Sequence, residues 1–308
     1  MIEHLVFSGT NAYLLQIFGA AKYLHENNYW NIKNIKSIHA TSGGAILALL
    51  WQLNLDWKDI EDYLIKRPWE NLFNITPEIL FAAYSKRGLF DITLFKKFIE
   101  PIFKLKDIDM SITLQDLFEK TNICFNIYAT ELNYFEKVCF SHEKTPTVRI
   151  IDAIYYSFSI PPVFQPTIID DKCYLDGAIF SHYPLDSACE VIEDKDTILA
   201  YNLRTVHYLE QKKLNNITEE TNIYGYFTDI FFSIIRKTIH KKPKYSIKNE
   251  IFFRDYIIDK DPDDPDATTS LIGSWKTILS SQEKRREMIL FGEKDGEIFM
   301  KNNLNPES

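Results

Sequence analysis

Apolar positions along this chain fall into two rhythms. Short unbroken runs at His4–Ser8, Lys36–Ala40, Ile123–Thr130 and Thr197–Leu203 have the length of buried strands. Between them, apolar residues return every three or four positions, which predicts helices. The first such stretch is Asn11–Asn27, with Leu14, Leu15, Phe18, Ala21 and Leu24 on one face. Others are expected over Gly43–Leu53, Asp56–Ile65, Thr76–Tyr84, Asp91–Phe103 with Asp91 as N-cap, Thr113–Lys120, and Arg149–Ser157 ahead of Pro161-Pro162. Lys137–Ser141 is expected to pair near the Ile123–Thr130 strand. Further on, Glu219–His240 reads as a long aromatic helix, Glu250–Ile258 as a strand, Ser270–Phe291 as a closing helix and Asn302–Ser308 as a frayed tail. Strands alternating with helices predict an α/β fold, with a mostly parallel sheet covered on both faces.

Composition narrows the function classes. The chain has 308 residues, 45% apolar and 25% charged, enough for one large α/β domain or two smaller ones. Its 35 Lys and Arg against 43 Asp and Glu give a net charge of −8, which argues against nucleic acid as a partner. The cysteines Cys124, Cys139, Cys173 and Cys189 form no Cys-x-x-Cys pair, so zinc ribbons and thioredoxin-type sites are not expected. Free thiols, no basic segment before the first apolar run and no apolar run near the roughly 20 residues of a membrane span together predict a cytoplasmic protein. The acidic run Asp261–Asp266 lacks the central glycine and distal glutamate of a calcium loop and reads as solvated.

Candidate chemistry lies where strands turn into helices. Ser42, in Ala40-Thr41-Ser42-Gly43-Gly44, stands between a predicted strand and a predicted helix. This is the setting of a nucleophile elbow, with Ala40 in place of the first glycine of G-x-S-x-G. A serine capping a helix has the same local look. Phe7-Ser8-Gly9-Thr10-Asn11-Ala12 is a second strand-to-helix junction, whose amides suit an oxyanion or phosphate. Asp176-Gly177-Ala178 follows a short apolar run and reads either as a turn or as a carboxylate presented to a serine. None of His182, His207 and His240 has a local triad signature, and His39 is expected to point into the sheet.

In this order and spacing, these segments resemble the patatin-like phospholipases. Ala129-Thr130-Glu131-Leu132-Asn133 is similar to the family's A-T-D-L-N strand end, and Ala153–Pro166 to the segment leading into its D-G-G/A. Leu5–Gly19 fits the family too, with Gly19-Ala20 placed as in its first helix. The resemblance covers roughly residues 4–205 and implies a three-layer α/β/α sandwich as residues 1–205, with residues 206–308 a mostly helical extension packed on it or lining the lipid-access side. It further implies a lipid acyl hydrolase in which Ser42 attacks the ester and Asp176 takes its proton. The oxyanion is then expected against Gly9, Thr10, Asn11 and Gly43, and no cofactor or metal is needed. Ala40, Gly44, Gly177 and Ala178 complete the two motifs.

The chain departs from the family's G-G-G-x-R/K-G by reading Gly9-Thr10-Asn11-Ala12-Tyr13-Leu14. Thr10 and Asn11 stand where glycine gives torsional freedom, and Tyr13 replaces the cation. The rival readings are a lipid-binding or regulatory protein whose altered loop no longer holds an oxyanion, and a non-lipid esterase or thioesterase using the same dyad. Lipid is the expected partner in the leading reading. Ile223–Ile239, followed by His240-Lys241-Lys242-Pro243-Lys244, reads first as a packing helix and secondly as a peripheral membrane contact.

Overall fold

A computed structural model describes residues 1–203, 217–239, 242–254 and 277–304. The strands are β1 (His4–Phe7), β2 (Ser37–Thr41), β3 (Cys124–Glu131), β4 (Glu136–Phe140), β5 (Thr167–Ile169), β6 (Lys172–Asp176), β7 (Ile198–Asn202) and β8 (Asn249–Phe252). They form one sheet in the order β5-β6-β3-β2-β1-β7-β8, with β4 also on β3. Pairings among β3, β2, β1, β7 and β8 are parallel, and those of β4, β5 and β6 are antiparallel.

Alternation along the strands separates two faces. Leu5, Phe7, Ile38, Ala40, Phe125, Ile127, Leu199 and Tyr201 join the main core. Helices α1 (Leu14–Glu26), α2 (Gly43–Gln52), α3 (Trp57–Lys66), α4 (Pro77–Lys86), α5 (Ile92–Leu105), α6 (Leu114–Thr121) and α7 (Ile150–Phe158) supply side chains to that core. On the other face Val6, Ile198 and Ala200 pack against Leu185, Ala188 and Cys189 of α9 (Leu185–Cys189), which follows the short α8 (Ala178–Ser181). The expected α/β architecture, a sheet flanked by helices on both faces, is therefore the observed one.

Sequence patterning located most elements within a few residues. The hairpin β5–β6 was not anticipated, because Thr167–Asp176 is too short and too interrupted by Asp170 and Asp171 to show a period. Helix α10 (Ile223–Ile239) falls inside the expected Glu219–His240, and His240 lies outside the described residues. The closing helix departs most. It was expected to stop near Phe291, before Gly292, but α11 (Gln282–Leu304) runs through Gly292 and Gly296.

The reason is close packing. A Cβ on Gly292 would lie 2.0 Å from the Gln16 carbonyl oxygen of α1, and one on Gly19 would lie 2.0 Å from that of Ile289. Glycine here permits helix contact instead of ending the helix. Buried Gln16 donates to Asp295 at 2.6 Å across this seam, and Lys22 pairs with Glu293 at 2.9 Å. The Asp261–Asp266 run, His207, the 255–258 end of the expected strand, the 270–276 start of the expected helix and residues 305–308 of the expected tail lie outside the described residues.

Candidate active site

One edge of β3 explains how residues 134 positions apart meet. Strand β2 occupies that edge up to Thr41, which pairs with Tyr128, while β4 holds the opposite edge. From Ala129 onward β6 takes over, running the other way, with Asp176 opposite Ala129. The C-terminal ends of β2 and β6 therefore meet head to head, and the residue after β2 is Ser42. The junction tolerates nothing larger than glycine after Asp176. A Cβ on Gly177 would lie 2.2 Å from the Tyr128 carbonyl oxygen and 2.9 Å from the Thr41 methyl.

Ser42 adopts φ 54° and ψ −128°, a left-handed conformation that is costly for a residue with a side chain. The turn aims its hydroxyl at Asp176, and Oγ donates to Oδ2 at 2.7 Å. The Ser42 amide donates to Ser157 Oγ at 2.7 Å, and Ser157 in turn donates to the Tyr128 carbonyl at 2.5 Å. Asp176 Oδ1 accepts from the Ala178 amide at 2.7 Å, which fixes the carboxylate plane. Thr130 donates to the Asp176 carbonyl at 2.8 Å. Both partners are buried, Ser42 at 2% and Asp176 at 0% exposure. Burial pushes the Asp176 carboxyl up to about 7, against the opposing pull of the Ala178 amide and the Ser42 hydroxyl. A hydroxyl bonded to a base of near-neutral affinity is chemically suited to act as a nucleophile.

A sequence model of the patatin-like phospholipases matches residues 5–189, more than half of the chain. The chain belongs to the patatin-like phospholipase family. Among similar proteins, "Probable lipid hydrolase 463L" of Invertebrate iridescent virus 6 is 25% identical over 279 residues, spanning 90% of this chain and 83% of that one. "Uncharacterized protein R571" of Acanthamoeba polyphaga mimivirus is 28% identical over 184 residues, 60% of each chain. The crystal structure of VipD from Legionella pneumophila shares the fold, with a TM-score of 0.51 at 15% identity, over 98% of this chain and 67% of that one.

The other residues of the patatin-like motifs lie beside Ser42 and Asp176, with different degrees of freedom. Ala40 is buried in β2 between Phe7 and Ile127. Gly44 lies so close to β1 that a Cβ would be 2.5 Å from the Ser8 carbonyl oxygen. Gly43 touches the 9–11 loop directly, since its Cβ would lie 2.4 Å from the Thr10 carbonyl oxygen. The two amide-bearing turns are thus in contact. The Gly9 amide, expected to face the oxyanion, instead donates to the His182 carbonyl at 2.6 Å. That leaves the Thr10, Asn11 and Gly43 amides, for which no hydrogen bond is found among the described residues. Asn11 Oδ1 accepts from the Tyr13 amide at 3.0 Å, so this side chain organises the turn into α1.

Ser42 bonds to the carboxylate with no histidine between them. His39 is on the other sheet face, paired with Tyr128 Oη at 2.8 Å, and burial holds its imidazole down to about 3. The His182 ring lies against Gly9, where a Cβ would come within 2.9 Å of Nδ1. Sequence reading missed the anchoring roles of Ser157 and Thr130. Both are ordinary residues whose importance comes from partners 115 and 46 positions away.

Proposed function

We propose that this protein is a lipid acyl hydrolase of phospholipase A type, a serine carboxylic-ester hydrolase working through a Ser42–Asp176 dyad. The observation that carries this reading is the 2.7 Å bond from Ser42 Oγ to a buried carboxylate, made by a serine at positive φ. As Ser42 Oγ attacks the ester carbonyl carbon, its proton passes to Asp176 Oδ2. The oxyanion that forms is stabilised by the Gly43 amide with those of Thr10 and Asn11, and each well-placed donor contributes roughly 3 kcal/mol. Collapse expels the alcohol, which takes the proton from Asp176 and leaves an acyl-serine. Water then gives a proton to Asp176 as it attacks the acyl group, and the fatty acid and free Ser42 result. An Asp176 affinity near neutrality suits both halves, since the group accepts and returns a proton at the same pH.

We assign lipid approach to the side of α10. This helix packs beside the residues following Asp176, with Phe231 against the cluster of Ile160 and Ala178. Its outward residues Ile223, Tyr226, Phe227, Ile230 and Ile234 are exposed. Such a surface fits peripheral contact with lipid. Among the described residues, no helix is long and apolar enough to cross a membrane.

The test is labelling with a fluorophosphonate serine probe, with and without phospholipid vesicles, on wild type, Ser42→Ala and Asp176→Asn. Labelling of wild type that both substitutions abolish, joined by fatty acid release from vesicles, is the expected result. Silence under every condition would favour a second reading, a catalytically lapsed lipid-binding protein. The bond that occupies the Gly9 amide is what favours that alternative.

A further inference from the structure

Away from the dyad, the start of β3 and the turn after β4 bring three different donors together. The β3–β4 pairing sets Ile127 opposite Phe140, so the chain leaving β4 returns alongside the first residues of β3. Cys124 Sγ, a ring nitrogen of His142 and a carboxylate oxygen of Glu143 lie within 4.8 Å of one another. The His142 ring is held flat on Phe118, with centroids 3.7 Å apart and planes at 4°. Its Nδ1 is buried and has no hydrogen-bond partner among the described residues. A buried imidazole nitrogen without a partner has unused ligating capacity, and here it belongs to a ring that stands beside a thiol and a carboxylate. The Asn126 amide donates to Cys124 Sγ at 3.4 Å, as supporting groups do for a metal-bound thiolate.

We propose that Cys124, His142 and Glu143 bind a thiophilic divalent cation, with Zn²⁺ the best match to this donor set. Sulfur, imidazole and carboxylate are the usual zinc ligands, and tetrahedral bonds of about 2.0–2.3 Å put ligands roughly 3.5 Å apart. The site therefore closes with a movement of about 1 Å per ligand, and exposed Glu143 is the one able to move. Binding releases the Cys124 thiol proton to solvent, and water fills the fourth position. Lys144 is the opposing charge, but it is exposed, where solvent screens it. The site is separate from the dyad. Cys124 pairs with Ser37 and Tyr128 with Thr41, four residues or about 13 Å along the strands. The ion would tie the β3–β4 hairpin at the end of the sheet opposite the chemistry.

The experiment is anaerobic titration of the full chain with Co²⁺, followed by Zn²⁺ competition, with Tm measured alongside. Expected are one equivalent bound, a near-ultraviolet cobalt–thiolate band that Zn²⁺ removes, and a Tm that rises with Zn²⁺. Cys124→Ser, which is nearly isosteric, should lose the band and the Tm response while keeping the wild-type circular dichroism. His142→Ala should weaken binding at least about tenfold, and Cys173→Ser, at a buried thiol elsewhere, should bind as wild type. Absence of a band in folded wild type overturns the proposal. So does a band that survives Cys124→Ser, or unchanged affinity in His142→Ala.

Discussion

Around Ser42 the fixing bonds span the chain: its amide reaches Ser157, its hydroxyl reaches Asp176, and neighbouring Thr41 reaches the Ser181 carbonyl. In the facing turn, Gly9 to Leu14, the described backbone bonds are mostly short-range. Asn11 supplies acceptors to the Tyr13 and Leu14 amides, and the Gly9–His182 bond is its one long-range backbone tie among the described residues. Two turns in contact thus draw their described bonds from different ranges of the chain. The geometry of the proposed dyad is set by bonds that span the chain, whereas the described bonds within the proposed oxyanion turn run mostly between adjacent residues. A sequence can therefore alter the second turn, as Thr10 and Asn11 do relative to glycine, without disturbing the first.

Substitutions on each side should separate these roles. Ser42→Ala should reduce ester hydrolysis roughly 10⁴- to 10⁶-fold with no change of fold, read by fatty acid release and circular dichroism. Asp176→Asn should cost about 10³- to 10⁴-fold and remove a pH limb. In the wild type the base must be ionised, so kcat/KM should climb as pH rises through about 7 and level off above it. A limb that persists in Asp176→Asn would assign it to another group. Stability should run the opposite way. Because burial raises this carboxyl in the folded state, its stabilising effect is complete below the unfolded value of 3.8 and is lost as pH rises through about 7. Asp176→Asn should accordingly have a higher Tm than wild type at pH 8.

Gly43→Ala forces a methyl against the Thr10 carbonyl, parts the two turns and should cost about 10²- to 10³-fold in kcat with little change in KM. Thr10→Gly should give the smallest effect, a gain of a few-fold if the β-branched residue limits how the turn presents its amides. A loss there would mean that threonine is the better fit.

The strand runs, the strand-to-helix turn at Ser42 and the Asp176-Gly177-Ala178 turn were legible because each depends on local period or local chemistry. What was not legible depends on distance. The hairpin that delivers Asp176 is too short for periodicity, and Ser157 matters through an amide 115 residues earlier. Gly292 reads locally as a stop and acts as a contact point for α1. The engaged Gly9 amide was hidden for the same reason, since its acceptor is the carbonyl of His182.

The backbone at Ser42 also bears on how such a chain drifts. At φ 54° and ψ −128°, a glycine would relieve a conformational cost of order 1–3 kcal/mol. Ser42→Gly should thus relieve backbone strain while removing the proposed nucleophile and its bond to Asp176 Oδ2. A serine at this strained position is what selection for chemistry, opposing selection for stability, would maintain.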